Sequence, residues 1–456
     1  MKSIAFYVGP LTASVVGLLL IQFDHPSTIV WTAAVTTLVA IWWIFEPLPI
    51  PATSLIPLAV FPLVGVLSES DVAAAYGNKL ALLMLGGFML SAAMEKSGAH
   101  RRIALAMVNL FGGSNGKALV FGFMAASALL SMWISNAATT LMLLPIAMAV
   151  VNQTNNRRLQ VSLLLGIAYA ASVGGVGTPI GTPPNVVFIS ILGEHTGNEM
   201  SFVEWMSYSI PVVLIMLPIV GFWLTRGLSK IEAIELPDTG DWRREEFLTL
   251  LVFGITALLW VTRKQPTGGW SSLLNLHAAN DAHAAIFGSL AMFLIPNGKH
   301  GKLLDWDTAK KIPWGILILF AGGICIAKAF GASGLSAELG SVLASLESLP
   351  VLLLIGAICL SVTFLTEVTS NTATTTLLMP ILLAAAIAAG MDPKIFMIPA
   401  TISASFAFML PVATPPNAIV FGADKFTVQE MAREGLGLNL VGVVVVTVIL
   451  YLFFAS

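Results

Sequence analysis

Two short polar runs stand in the middle of long apolar stretches, and they are near copies of each other. The first is Ser135-Asn136-Ala137-Ala138-Thr139-Thr140, and the second is Ser370-Asn371-Thr372-Ala373-Thr374-Thr375. A proline pair follows each. Gly181-Thr182-Pro183-Pro184-Asn185 ends 49 residues after the first asparagine, and Ala413-Thr414-Pro415-Pro416-Asn417 ends 46 residues after the second. The surrounding sequence decides what such runs mean. The chain of 456 residues is 57% hydrophobic and 10% charged, with a mean hydropathy of +0.89, against roughly 25% charged for an ordinary soluble domain. That composition describes a polytopic membrane protein. Irregular polar backbone at bilayer depth survives only where it is buried in protein or lines a watery cavity. The four runs therefore read as the walls of one binding site, built twice.

A spanning helix needs about 20 mainly apolar residues. The stretches that qualify are 4–22, 28–45, 49–67, 79–96, 160–191, 208–226, 246–262, 281–296, 312–331, 395–423 and 435–455, with 160–191 and 395–423 each interrupted by a proline pair. Met1-Lys2 and the apolar run after it resemble a signal peptide, but no small-residue cleavage site follows, so this is taken as a retained first helix. Two further stretches, 118–152 and 350–388, are each long enough for two short helices with a Ser-Asn run at the midpoint. Each is either one kinked span or a re-entrant hairpin. Positive charge decides between them. With both as hairpins and Met1 in the cytoplasm, 17 of the 22 Lys and Arg residues fall inside, and Lys79, Arg263, Lys264, Lys328 and Lys394 alone fall outside. A through-going span at either place would reverse every later loop and destroy that bias.

The duplication extends beyond the motifs. Gly86-Gly87 and Gly98 match Gly322-Gly323 and Gly334, with 12 residues from first glycine to third in both. The stretch 99–117 is basic and 332–349 has no Lys or Arg, so corresponding segments are expected on opposite faces. That is an inverted-topology repeat, the usual construction of secondary transporters. Leu335, Leu339, Val342, Leu343 and Leu346 share one helical face, as expected for a helix lying along the interface. The linker 229–246 is polar, with Glu232, Glu235 and Asp238 among its acids.

Chemistry follows from broken helices. A helix that begins at a hairpin tip presents unpaired N–H groups and the positive end of its dipole, which suits an anion. Unwound backbone and helix C-termini present carbonyl oxygens, which suit a hard monovalent cation. The proline pairs free further carbonyls, and the threonine before each pair offers a hydroxyl. No arginine falls near a motif, so a bound dianion needs its charge offset by something else; helix N-termini supply about half a charge each. Bound cations are expected to supply the rest.

At this point the residues resemble a family. Paired Ser-Asn-Thr-type runs and paired Thr-Pro-Pro motifs, in this order across essentially the whole chain, look like the divalent anion/sodium symporters, the sodium-dependent dicarboxylate, citrate and sulfate carriers. The resemblance implies an all-α membrane protein of about 11 transmembrane helices and two re-entrant hairpins. It implies a homodimer working as an elevator, with 1–117 and 229–349 (linker included) supplying scaffold helices, and 118–228 and 350–456 forming the two halves of the transport domain. It implies Na+ as the co-transported ion, one site using Ser131, Ser135, Asn136 and the carbonyl of Gly181, the other Thr366, Thr369, Asn371 and the carbonyl of Ala413. Substrate is expected to meet Asn136, Ala137, Thr182, Pro183, Ser370, Asn371, Thr372, Thr414 and Pro415. The family pattern has Thr where this chain has Ala137, which leaves one donor fewer.

The resulting expectation is a carrier, not an enzyme, with no organic cofactor: Na+-coupled import of C4-dicarboxylates such as succinate, fumarate or malate, in the plasma (inner) membrane with the N-terminus cytoplasmic. Within the family the alternatives are a dicarboxylate exchanger or a citrate or sulfate carrier. Outside it they are a channel, a membrane-embedded enzyme, or a cation/proton antiporter, for which Glu367 is the one candidate acid. No His lies near a motif to activate a nucleophile, and no phosphate-binding loop is present. Cys325 and Cys359 are expected as free buried thiols, the glycine pairs as close helix packing and Lys328 as a side chain snorkelling from a helix end. Glu367 is expected to reach water through the hairpin mouth, the alternative being that it tunes cation binding, and Asn280, Asp281 and His283 to be solvated.

Overall fold

The computed structural model describes residues 2–111, 115–197, 200–228, 240–264, 269–343 and 349–455. They form a bundle of α-helices, and the one β-type pairing among them is an isolated bridge between Pro296 and Lys302. Among the described residues, seven helical stretches are long and apolar enough to cross a membrane: Lys2–Gln22, Ser27–Phe45, Glu69–Ser97 (two helices, Glu69–Tyr76 and Lys79–Ser97, meeting at Gly77-Asn78), Phe202–Thr225, Trp314–Ser333, Asn371–Ala388 and Val428–Ala455. The expected span 49–67 is instead two short helices, Ile50–Thr53 and Ile56–Leu63. Pro57 has no N–H to give the carbonyl four residues back, which breaks the ladder there. The break is used for packing: Tyr76 donates its hydroxyl to Ser54 O at 2.6 Å, and Trp43 Nε1 donates to Ser54 Oγ at 3.0 Å.

Both stretches with a central Ser-Asn run are pairs of helices, Gly116–Ser131 with Asn136–Val151 and Val351–Thr366 with Asn371–Ala388. Contacts between distant segments fix where they enter and leave. Asn78 Nδ2 donates to Glu194 Oε1 at 2.9 Å. Between them run the Lys79–Ser97 crossing, the 13-residue helix Ala99–Phe111, too short and too charged to cross, the first helix pair and the interrupted crossing 157–196, so the pair returns to the end it started from. Lys394 Nζ, 2.9 Å from Glu204 Oε1, makes the same demand of the second pair. Arg157 with Glu430 at 2.9 Å and Lys2 with Glu46 at 3.5 Å agree.

The repeat is visible down to its caps. Gly98 and Gly334 end their helices at φ +76° and +86°, the left-handed region that glycine enters without cost. One residue earlier, Ser97 Oγ and Ser333 Oγ bond back to Met94 O and Phe330 O, and each accepts the N–H of the residue two further on, Ala99 or Leu335. The two copies lie at opposite ends: Ser97 O is held by Arg243 at 2.6 Å, whereas Glu338, just past Ser333, sits 3.8 Å from His25 at the other end. The glycine pairs do serve close packing. A Cβ on Gly86 would stand 2.8 Å from the backbone carbon of Ala285, and one on Gly322 would stand 2.7 Å from Ser54 O. Cys325 and Cys359 are free and buried.

One expectation needs amendment, and two fall partly outside the described residues. Of Asn280, Asp281 and His283, His283 is exposed as expected, but the other two are not a solvated loop. Asn280 caps the helix Asp281–Leu294, and Asp281 is buried against Arg263, Nε to Oδ1 at 2.5 Å. An ion pair 18 residues apart in sequence carries no local pattern. The helix after Gly334 covers Leu335–Leu343, so Leu346 lies outside the described residues. Glu232, Glu235 and Asp238 of the linker lie outside them as well. At the linker's end, Arg102 donates to Glu246 Oε2 at 3.0 Å and to the carbonyls of Gly240 and Asp241, and its guanidinium stacks on Trp242.

The end of the bundle that carries Lys96 shows a clear electrostatic tie. Lys96 Nζ lies 2.6 Å from Asp305 Oδ2, and this ammonium, with the Thr308 N–H, holds the Asp305 carboxyl down to about 2. A depressed carboxyl stabilises fully above its ordinary value near ~4 and loses that contribution as pH falls through the folded value. Lys96→Met should therefore flatten the fall in melting temperature between about pH 4 and pH 2. Equal acid sensitivity in both proteins would show that the contact stabilises nothing.

Candidate binding site

Each hairpin tip is built the same way, because each repeats a hydroxyl five residues before an asparagine. In the first, Ser131 ends the incoming helix and donates to Asn136 Oδ1 at 2.6 Å. Ser135 caps the outgoing helix by accepting the Ala138 N–H at 3.2 Å. In the second, Thr366 donates to Asn371 Oδ1 at 2.7 Å, with Ala404 O a further acceptor at 2.9 Å. Thr369 shares a hydroxyl contact of 2.5 Å with Thr374. Thr140 and Thr375 bond back to the carbonyls of Asn136 and Asn371, the usual fate of a hydroxyl in a membrane helix. Ser131 and Thr366 are buried, whereas Ser135, Asn136, Ser370 and Asn371 are half-buried.

The interrupted helices bring oxygen to these tips. The first breaks between Gly175 and Pro183, the second between Ser403 and Pro415. Gly175 lies against the Asn136 amide so closely that a Cβ there would overlap Oδ1. A Cβ on Gly181 would collide with Gly175 O and stand 2.9 Å from Ser131 O and 3.0 Å from Met132 O. Gly181 thus sits among three carbonyls beside the Ser131–Asn136 pair, an oxygen-rich cradle of the kind a hard cation takes.

Breaking a helix strands carbonyls, and their partners can be followed one by one. In the first half Asn185 Nδ2 lies 3.1 Å from Gly175 O, 3.4 Å from Val176 O and 2.8 Å from Thr178 O. Trp205 Nε1 also reaches Val176 O at 2.8 Å, and Ser209 takes Gly177 O at 3.1 Å. In the second half Asn417 Nδ2 lies 3.0 Å from both Ala407 O and Leu410 O, and Tyr169 takes Phe408 O at 2.6 Å. The carbonyls of Gly181 and Ala413 take part in no hydrogen bond among the described residues. The hydroxyls of Thr182, Ser370 and Thr372 are likewise unused there. Thr414 accepts the Asn417 N–H at 3.3 Å and keeps its own proton for another partner. Ala137 and Pro183 are half-buried at the site, and Pro415 is exposed.

Glu367 departs from expectation. It does not reach water: it is 3% exposed, and its carboxylate accepts the N–H groups of Met409 and Leu410 at 2.9 and 3.0 Å and the Asn439 amide at 2.7 Å. Asn439 in turn accepts the Phe408 N–H at 3.2 Å. At the matching place in the first half the tie runs from the Thr178 hydroxyl to Met132 O. The two unwound segments are thus held to their hairpins by different chemistry. Sequence reasoning also gave no role to Asn185 and Asn417, although the duplicated Pro-Pro-Asn carried the signal. Lys328 pairs with Glu194 at 3.5 Å, remote from both tips. Glu194 keeps its bond to Asn78, and partly exposed pairs contribute at most about 1 kcal/mol. Uptake by a Lys328→Ala variant should stay within about twofold of wild type; a loss of tenfold or more would make Lys328 part of the site.

Comparison with known proteins agrees with this architecture. The family model described as the sodium:sulfate symporter transmembrane region matches residues 9–455. The sodium-dependent dicarboxylate transporter SdcS of Staphylococcus aureus, strain NCTC 8325 / PS 47, is 38% identical over 483 aligned positions, covering 99% of this chain and 92% of that protein. The same protein from strain COL matches equally. Among solved structures, the Alcanivorax borkumensis YdaH transporter superposes with a TM-score of 0.61 at 14% identity, covering 92% of this chain and 98% of that one. That likeness speaks to the fold alone.

Proposed function

Given that the chain belongs to the sodium:sulfate symporter family, whose members are transporters and not enzymes, we propose that it imports C4-dicarboxylates such as succinate, fumarate or malate together with Na+. One observation carries the proposal. Two hydroxyl–asparagine pairs, Ser131 with Asn136 and Thr366 with Asn371, are built alike. Each belongs to a half in which the carbonyl of Gly181 or Ala413, in the break of the interrupted helix, has no partner among the described residues. Each set offers neutral oxygens to one Na+: Ser131, Ser135, Asn136 and Gly181 in the first, Thr366, Thr369, Asn371 and Ala413 in the second. The dianion then meets hydroxyls that the fold leaves unused, those of Thr182, Ser370 and Thr372, together with Thr414, the two asparagine amides, and the ring edges of Pro183 and Pro415. Ala137 stands where Thr372 stands in the other half, so that side gives shape and no donor. Two bound cations offset the substrate's charge in a place where no guanidinium does, which makes binding of the anion depend on Na+.

The moving body in this reading is 118–228 with 350–456. Ion pairs brace its halves in a reciprocal pattern: Lys394 of the second half holds Glu204 of the first, and Arg157 of the first holds Glu430 of the second. The rest serves as the scaffold of an elevator and of a homodimer, with the Lys96 end in the cytoplasm. The test is uptake of labelled succinate into proteoliposomes with and without an inward sodium gradient, competed by fumarate, citrate and sulfate. Uptake that is saturable, sodium-driven and blocked by fumarate is expected. Uptake unchanged without sodium, or blocked by sulfate and not by fumarate, would overturn the assignment.

A further inference from the structure

We propose that Asn185 and Asn417 are positioning residues that set the two cation sites, each by holding an unwound segment so that the carbonyl of Gly181 or Ala413 stays in place beside its hairpin tip. The inference rests on the reading above that Gly181 O and Ala413 O bind cations. Its basis is a geometry repeated in both halves. Asn185 Nδ2 bonds the carbonyls ten and seven residues earlier, Gly175 at 3.1 Å and Thr178 at 2.8 Å. Asn417 Nδ2 bonds the carbonyls ten and seven residues earlier, Ala407 at 3.0 Å and Leu410 at 3.0 Å. Both asparagines are fully buried. Their orientation is settled by chemistry, since a flipped amide would turn Oδ1 onto two carbonyl oxygens.

The consequence lies in what the clamp consumes. A primary amide has two N–H bonds, and in each half both are directed at carbonyls that the helix break released. The clamp closes the unwound segment into a loop whose far side carries Gly181 or Ala413. Neither of those carbonyls is within reach of the amide, and neither has another partner. Meanwhile Oδ1 of both asparagines is buried with no donor. The side chain is therefore retained for its N–H groups, at the cost of leaving its oxygen unsatisfied. Without the clamp, Gly175 O and Thr178 O would need other donors, and the loop would turn to find them. Gly175 packs directly on the Asn136 amide, so such a turn would move both the free carbonyl and the side-chain ligand of the same cation.

Leucine fills the volume of asparagine without its N–H groups. Asn185→Leu and Asn417→Leu, purified as full-length protein and reconstituted, should each raise the sodium concentration for half-maximal succinate uptake by about tenfold or more. The succinate KM at saturating sodium should stay within about threefold of wild type. In detergent, the sodium-induced rise in melting temperature seen for wild type should shrink in each variant, while the sodium-free melting temperature stays close to it. A lesion that merely loosens the fold would instead lower the sodium-free value. The inference is overturned if sodium activation is unchanged in both variants, if succinate KM alone moves, or if neither variant folds, which would make the clamp purely structural. Should wild type itself ignore sodium, the symport assignment fails first, and that result is distinct from a sodium-dependent wild type with indifferent variants.

Discussion

Alanine in place of Asn136 or Asn371 is expected to remove sodium-driven uptake almost entirely, by about 100-fold or more, while the protein still inserts. Each asparagine does three things at its tip. It lies in the first turn of the outgoing helix, accepts the hydroxyl of Ser131 or Thr366 at 2.6 or 2.7 Å, and is half-buried at the tip. On the proposed reading, removing the side chain takes an oxygen ligand from the cation and a donor from the anion, and releases the hydroxyl that oriented it. Hydrogen bonds to charged groups contribute about 1.5–3 kcal/mol each, so losing two corresponds to about two to four powers of ten. The fold should survive, because Thr140 and Thr375 bond the backbone carbonyls of the asparagines rather than their side chains. The check is uptake against surface expression for both variants, together with a Ser131→Ala control expected to be intermediate. Uptake above a tenth of wild type in either variant would move the cation sites away from the tips.

How far this arrangement could be read from the chain depended on the range of the interactions involved. The two helix pairs were legible because each Ser-Asn run interrupts an apolar stretch long enough for two short helices. The match of Gly98 to Gly334 was legible in the 12-residue spacing, and their use as caps follows from backbone within four residues. The Asn136 and Asn371 pairs were legible because the partner lies five residues away and recurs. Partners at long range were not. Glu367 finds Asn439 across 72 residues and Met409 across 42, and nothing local distinguishes a carboxylate taken up by backbone N–H groups from one that opens to water. Asp281 was misjudged for the same reason. The clamp by Asn185 and Asn417 lies between these cases: its residues stood inside a duplicated motif, but which carbonyls they hold depends on where the unwound segment turns. The broken span at 49–67 had its signal in Pro51, Pro57 and Pro62, outweighed in the reading by apolar length.

Gly181→Ala should be nearly as damaging as loss of an asparagine, and the second half supplies its control. The two positions correspond, yet one is glycine and the other is already alanine. Around Gly181 the atoms that a Cβ would meet are all backbone: Gly175 O in collision, Ser131 O at 2.9 Å and Met132 O at 3.0 Å. None is the end of a flexible side chain, so the methyl can be seated only by moving the unwound segment away from the hairpin tip. Overpacking of this kind costs about 1–3 kcal/mol, and here it displaces the backbone that carries Gly181 O, the carbonyl proposed for the first cation. Conformation is not the obstacle, since Gly181 is not among the glycines with positive φ. Ala413→Gly removes a methyl that its own half already accommodates, at a backbone cost of about 0.5–1 kcal/mol. Sodium-driven uptake should therefore fall by about tenfold or more in Gly181→Ala and stay within a few-fold of wild type in Ala413→Gly. Because the methyl acts on the cation cradle, raising sodium should recover part of the Gly181→Ala activity, whereas raising succinate at fixed sodium should recover little. If succinate rescued and sodium did not, the cradle around Gly181 would belong to the anion.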